Sequence, residues 1–387
     1  MKNGGKAGFR LMPRYHCSGM PRNTWIELDL DVLGDNIRAL RQAVAPGAEI
    51  IFLVKANAYG HGAERVAGHA ARCGIKWFAV AHVDDALALR RVIPDARVVL
   101  TSPAMPEDAA ACAEYGIAAL VVESGQVRGI VTSLAGTGKT LTVHAEVDTG
   151  MGRLGFPWES AAKELYAMAR QENLRLEGVC THFASSDSPD PAFLNEQAER
   201  FRRVIDSCRG SGLRIPMRHV SNSGAILADP SLDYEAVRPG IMLYGYPPSR
   251  LNPRPVAVHP FLQWKTRILQ VKEVPADFPV SYDSTYRTAH RTRLATLDVG
   301  YADGYTRHLS SKGIVLIGGR RHQIAGRVTM NLMVVDIGLN HNASPGDEVV
   351  LIGRQGNESI WADELASLAG TIPYEILTSI RADSGPA

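Results

Sequence analysis

The sequence predicts an α/β protein, an N-terminal (β/α)8 TIM-type barrel followed by a mainly β C-terminal domain. Three observations carry this expectation. Short apolar runs alternate with Ala/Glu/Arg-rich stretches of helical spacing until about residue 245. Five prolines within 247–260 then interrupt the rhythm. Beyond them, residues 261–352 are dominated by alternating strands and glycine-rich turns.

Residues 1–23 mix Gly, Arg, Lys and Pro without a continuous apolar run, which predicts a loose lead-in and no secretory signal. TWIELDL (24–30) alternates as a half-buried strand. Asp31 is placed to cap a helix through Val32, Ile37, Leu40 and Val44, ended by Pro46 and Gly47. Barrel strands are expected at 50–54, 77–81, 97–100, 118–122, 141–147, 176–181, 217–220 and 241–244. Helices are expected at 63–73, 83–92, 106–115, 159–172 and 191–209. An open doubly wound sheet is disfavoured by the eight units and by the lack of a glycine fingerprint after the first strand. In the second domain KTRILQVKEV, RLATLDVGY, GIVLIGG, HQIAGRVTMNLMVVDIG and EVVLIG read as strands, with one helix at 362–368. The expected division is 1–23 for the lead-in, 24–255 for a cofactor-binding barrel and 256–387 for the mainly β domain.

The totals exclude several classes. A chain of 387 residues with 45% hydrophobic and 21% charged residues is an ordinary soluble protein of two domains. A net charge of +2 and no membrane-length apolar window point to neither a nucleic-acid nor a membrane partner. Cys17, Cys73, Cys112, Cys180 and Cys208 are odd in number and scattered, which predicts reduced thiols in the cytoplasm and no metal site. AGTGKT (135–140) is half a phosphate loop ahead of a strand and is set aside. His61 and His69 read as surface helix histidines.

The chemistry gathers at predicted strand ends. Within IIFLVKANAYGHG (50–62), five apolar residues close on Lys55. Such a lysine either emerges into solvent or is desolvated enough to act as a nucleophile. Reading the carboxyl ends of the other strands adds Tyr59, Arg153 in DTGMGRLG, His182, Asn222, Ser223 and Arg238. Each alone has a plain structural role: a surface ion pair, a core imidazole, a helix cap. Together they describe a site. Gly240 and the adjoining amide of Ile241, with Ser223 and Tyr59, offer neutral donors to a phosphate. With the Lys55 amine, that set fits pyridoxal 5′-phosphate.

From residue 24 to about 377 the chain resembles the alanine racemase family. The likeness rests on VKANAYGHG, DTGMGRLG, THFA, NSGA, RPGIMLYG, VSYDSTY, GYADGY, GRVTMN and PYEIL. It implies a PLP-dependent amino-acid racemase (an isomerase) that interconverts L- and D-alanine in D-alanine biosynthesis, as a cytoplasmic homodimer with shared active sites. Lys55 would carry the cofactor and be the base on one face, and Tyr282, from the partner subunit, the base on the other. Inversion needs two bases on opposite faces. A phenol with an unperturbed pKa near ~10 needs positive charge or donated hydrogen bonds to serve. By the same likeness His182 and Arg238 supply these, with His219 bracing Arg238. Arg238 would also face the pyridine nitrogen; a guanidinium stays protonated, which weakens the electron sink and suits racemisation over transamination. Arg153 would orient the substrate carboxylate or the cofactor's phenolic oxygen, and Met330 would offer its backbone amide to that carboxylate. Tyr301 and Tyr374 resemble the pair that narrows the entrance, with Tyr374 also reaching the phosphate.

Four departures from the family pattern stand out. Glu146, seven residues before Arg153, replaces a lysine that many relatives carbamylate, and supplies the negative charge unmodified. Asp283 replaces a glycine after the tyrosine base, and Asn331 an aspartate after Met330. The tail TSIRADSGPA lacks the usual basic-aromatic ending. Alternatives are a broad-specificity racemase of serine or basic amino acids, and a PLP-dependent decarboxylase. The latter should set an acidic residue, not Arg238, against the pyridine nitrogen. A non-catalytic PLP-binding barrel would need no β domain.

Overall fold

The structure, a computed structural model, describes residues 24–248 and 255–384. The expected lead-in, Cys17, the middle of the proline-rich stretch and the last three residues lie outside the described residues.

The first strand, β1 (Trp25–Leu28), is followed by helix α1 (Leu30–Ala43). The cap is Asp29, whose carboxylate accepts from the Val32 amide at 3.4 Å; Asp31 instead lies in the first turn, where its charge favours the helix dipole. Eight strands then form the barrel: β2 (Glu49–Leu53), β3 (Trp77–Val80), β4 (Arg97–Pro103), β5 (Ile117–Val121), β6 (Leu141–Asp148), β7 (Leu174–Cys180), β8 (Met217–His219) and β9 (Ala236–Val237). All pair in parallel, in the order β9-β2-β3-β4-β5-β6-β7-β8. A bridge between Asn222 and Arg238 closes the ring, with the Arg238 amide donating to the Ser221 carbonyl at 2.8 Å. Ile51, Trp77, Ala79, Val99, Ala118 and Ala236 fill the barrel interior as one apolar cluster.

The last strand differs from expectation. Residues 241–244 are a chain of turns, and the eighth strand is the short β9 just before them. Pro239 and Gly240 break the extended run after Val237. The apolar residues Ile241 to Tyr244 are wholly buried, so their hydrophobicity reported burial and not extension. The helix Ser124–Leu134 was absent from the expected list, and the one expected at 106–115 is a 3-10 turn leading into Ala109–Glu114.

The second region is antiparallel. Its strands are β10 (Leu262–Val274), β11 (Thr292–Leu297), β12 (Ile314–Ile317), β13 (Arg320–Gln323), β14 (Met333–Asp336) and β15 (Glu348–Gln355). β10 is the hub, flanked by β15, β11 and, from the chain's start, β1, with Ile26 opposite Trp264. Two helices follow, Ala362–Ala369 and Pro373–Ser379. The second packs on the loop after β2, where a side chain on Gly60 would collide with the Leu377 carbonyl. That contact brings the β region to the barrel's mouth. No helix among the described residues is long and apolar enough to cross a membrane.

Candidate active site

The backbone turns left-handed directly after β2. Ala56, Asn57, Ala58 and Tyr59 have φ of 51°, 53°, 52° and 52°. Non-glycine residues avoid this region at a cost of about 1–2 kcal/mol each. Hydrogen bonds hold the turn: Asn57 Oδ1 accepts from the Ala63 amide at 2.9 Å, and the Asn57 carbonyl from the Gly62 amide at 2.9 Å. The Tyr59 ring stacks on Tyr244 with centroids 4.6 Å apart, and the Tyr244 hydroxyl donates to the Leu53 carbonyl at 2.9 Å. Behind the turn lies His61, a correction to the surface helix histidine expected there. It is fully buried between Tyr244 and Phe261, its Nδ1 is 2.9 Å from the Tyr59 carbonyl, and burial lowers its pKa to about 4. Among the described residues no cluster suits a metal ion.

This turn aims Lys55 and Tyr59 into a cavity of about 400 Å³ at the barrel mouth. Glu146, Arg153, His182 and His219 line it, with Asn222, Ser223, Arg238, Gly240 and Tyr374. Burial first, then the charges of Arg153 and Arg238, lower the Lys55 pKa, so its amine gives up its proton more easily than an ordinary lysine. Glu146, 7% exposed, is pushed up by burial, against which the two arginines act. His182 is lowered to about 3 by burial and the surrounding cations, so its imidazole is neutral and serves as a hydrogen-bonding group.

Arg238 is rigidly held. Its guanidinium donates to the carbonyls of His219, Thr181 (2.7 Å) and Val220 (3.4 Å), and lies 2.9 Å from His219 Nδ1. His219 Nε2 in turn lies 2.7 Å from His144 Nδ1. Besides these charged groups the cavity is lined by the neutral hydroxyls of Tyr59, Ser223 and Tyr374. Ser223 Oγ accepts from the Gly240 amide at 3.0 Å, and Gly240 lies so close under the Tyr59 hydroxyl that a Cβ would clash with it. Burial raises the Tyr59 pKa strongly and that of Tyr374 to about 12, so both phenols remain donors. A nucleophilic amine, a neutral anion cradle and a fixed cation lining one cavity fit pyridoxal 5′-phosphate.

Four expected site residues do not line this cavity. Tyr282, Met330 and Tyr301 are 68%, 56% and 43% exposed on the β region, and Ile241 is buried behind the cradle. Conversely, several cavity-side residues escaped the sequence reading. His144 stands two before Glu146 on β6, and that spacing puts both on the inner face. Gln197 is buried on the helix Ala192–Gly210, bonding Thr149 Oγ1, the His182 carbonyl and the Ala184 amide at 2.9–3.2 Å. A glutamine on an apolar stripe was the available signal. Ser186, whose hydroxyl donates to Asn222 Oδ1 at 2.7 Å, carried none.

Comparison with known proteins agrees along almost the whole chain. Residues 28–248 match the family described as alanine racemase, N-terminal domain, and residues 261–384 match alanine racemase, C-terminal domain. The chain is 43% identical over 360 residues to an alanine racemase of Carboxydothermus hydrogenoformans, covering 93% of this chain and 97% of that one. It is 40% identical over 359 residues to one of Symbiobacterium thermophilum, covering 93% and 95%. Among solved structures it superposes on the alanine racemase of Bacillus anthracis with bound L-Ala-P with a TM-score of 0.88, at 36% identity and 94% coverage of each chain. The alanine racemase of Bartonella henselae with covalently bound pyridoxal phosphate gives 0.84, at 30% identity and coverage of 94% and 99%.

Proposed function

Because the chain belongs to the alanine racemase family, a family of PLP-dependent isomerases, we propose that it interconverts L- and D-alanine with pyridoxal 5′-phosphate held on Lys55. The observation that carries this reading is Arg238, a permanently charged guanidinium fixed by three carbonyls and an imidazole in the cavity that Lys55 enters. A decarboxylase reading would want an acidic residue there, and Glu146 lies instead among the cations.

When bound, the cofactor makes the substrate's Cα–H acidic by accepting electron density into its ring. The chain's own residues do the rest. Tyr59, Ser223, Tyr374 and Asn222, with Gly240 leaving room beside them, would hold the phosphate with neutral donors. Arg238 would face the pyridine nitrogen as a donor that cannot take up a proton, which would restrain the ring as an electron sink. Arg153 binds the substrate carboxylate at the rim. The Lys55 amine, its pKa lowered by burial and cations, accepts or returns the Cα proton on one face. On the other face that role falls to Tyr282, contributed by a second subunit together with Met330 and Tyr301. Their exposure supports an arrangement in which they complete a partner's cavity. His182, neutral, hydrogen-bonds in that network.

In this reading the barrel (24–255) binds the cofactor and the β region (256–387) serves the partner of a cytoplasmic homodimer, making D-alanine for biosynthesis. Tyr301 and Tyr374 keep the substrate small. The test is D-enantiomer formation from L-alanine, L-serine, L-lysine and L-arginine by purified protein with added PLP, beside Lys55→Ala. Alanine turnover far above the others, lost in the variant, is expected. Preferred turnover of a larger substrate would overturn the alanine assignment, and absence of any D-product would overturn the reaction.

A further inference from the structure

Tyr282 sits on a turn whose backbone is costly on both sides. Ser281 has φ 62° and ψ −173°, a region used almost only by glycine, while Asp283 and Ser284 have φ of 58° and 49°. Such a conformation persists only where its surroundings impose it. Here one residue reaches both flanks of the tyrosine. The Arg327 carbonyl accepts from Ser281 Oγ at 2.7 Å, and the Arg327 guanidinium pairs with the Asp283 carboxylate at 2.8 Å. The segment beneath is equally close: Gly326, at φ 79°, leaves no room for a side chain against the Val280 carbonyl.

The same strand of chain runs on to Met330. Thr329 closes that loop, its amide donating to the Leu332 carbonyl at 3.0 Å. The Thr329 and Met330 carbonyls accept from the Tyr301 and Ala302 amides at 3.0 and 2.9 Å. Tyr282, Met330 and Tyr301, the three exposed residues assigned to the partner's cavity, are therefore fastened to one short segment, and Arg327 is the link to Tyr282. An exposed ion pair adds little stability by itself. Its effect is geometric: the guanidinium's planar fork fixes direction as well as distance.

We propose that Arg327 is a positioning residue that sets Tyr282 in register with Met330, and that Asp283 is the anchor for its side chain. The proposal rests on the reading of Tyr282 as the second base. It gives Asp283 a specific task where the family pattern has glycine. The carboxylate compensates for the left-handed strain by tying the turn down, a job a glycine would neither need nor perform.

The test compares Arg327→Gln, Asp283→Ala and Asp283→Asn in the intact enzyme. Racemisation rates are measured in both directions with Cα-protiated and Cα-deuterated alanine, beside PLP content and oligomer size. A tyrosine displaced by about 1 Å lowers proton-transfer rates by roughly ten- to a hundredfold. Arg327→Gln and Asp283→Ala should therefore lose kcat on that scale with a far smaller change in KM. Their primary isotope effect should rise in one direction only, because one enantiomer alone gives its proton to Tyr282. Asp283→Asn, which tolerates the left-handed backbone and still accepts a hydrogen bond, should keep most of the rate. Equal losses in both directions with unchanged isotope effects, or full activity in all three variants, would overturn the proposal. Tyr282→Phe runs in parallel: activity retained there would overturn the two-base reading itself. Activity lost there but intact in Arg327→Gln and Asp283→Ala would overturn the positioning role alone.

Discussion

His219 Nε2 stands 2.7 Å from Nδ1 of His144, and the groups around them dictate which nitrogen carries each proton. A guanidinium only donates, so Arg238 requires His219 Nδ1, 2.9 Å away, to accept. His219 must then donate from Nε2 to His144, whose own Nε2–H faces the Glu177 carboxylate at 3.3 Å. Burial lowers the pKa of both imidazoles and keeps the chain neutral between its charged ends. Replacing His144 with Phe strands a buried N–H, which costs about 1–3 kcal/mol. The expected outcome is a lower denaturant midpoint with a smaller loss of kcat, because Arg238 keeps its three carbonyl contacts.

Acid should destabilise the protein through its buried histidines. His61 titrates near 4 and His182 near 3 in the folded chain, against an ordinary value of 6.5. Between these values the unfolded chain binds the protons and the folded chain does not. Their stability contribution is thus fully present above about pH 6.5 and is lost as pH falls towards 4 and 3, with a slope of about 1.4 kcal/mol per pH unit for each group. Denaturation midpoints measured across this range should show it, and His61→Gln should flatten the slope between pH 6.5 and 4.

Glu146 is the buried carboxyl among Lys55, Arg153 and Arg238. The intact mass should equal that of the unmodified sequence, and activity should not respond to added bicarbonate. Glu146→Gln leaves Arg153 and Arg238 without a buried carboxylate beside them, and kcat/KM should fall about tenfold or more as the arginines lose their hold. Glu146→Lys should make activity bicarbonate-dependent.

Gly60 has φ of 81°, and a Cβ there would strike the Leu377 carbonyl. Gly60→Ala should therefore push the helix Pro373–Ser379 off the turn, destabilising the protein by about 3 kcal/mol or more and weakening PLP retention, measured by cofactor content after gel filtration.

How much of this was legible beforehand differs by element. The first seven barrel strands were legible as short runs, several of them buried and β-branched such as 50–54 and 141–147, and Lys55 and Arg153 followed from the strand ends. The eighth did not, because Ile241 to Tyr244 are buried in turns and the true strand is two residues long. The left-handed turn was not legible either, since Ala-Asn-Ala-Tyr contains no glycine to signal it; tertiary contacts impose it. Tyr374 came only through family resemblance. Nothing local in the helix Pro373–Ser379 says that it folds back onto residue 60.

That docking has a consequence for the order of events during synthesis. Among the described residues, the first strand, Trp25–Leu28, pairs with Leu262–Val274 and Asp383–Ser384, and Tyr374 reaches the cavity from the last helix. A nascent chain can assemble the eight-stranded ring with residue 245 emerged, but its cofactor cradle still lacks one wall and its opening strand still lacks neighbours. Domains that emerge first generally fold first. Here the ring, though first to emerge, has an incomplete cavity until Tyr374 follows it.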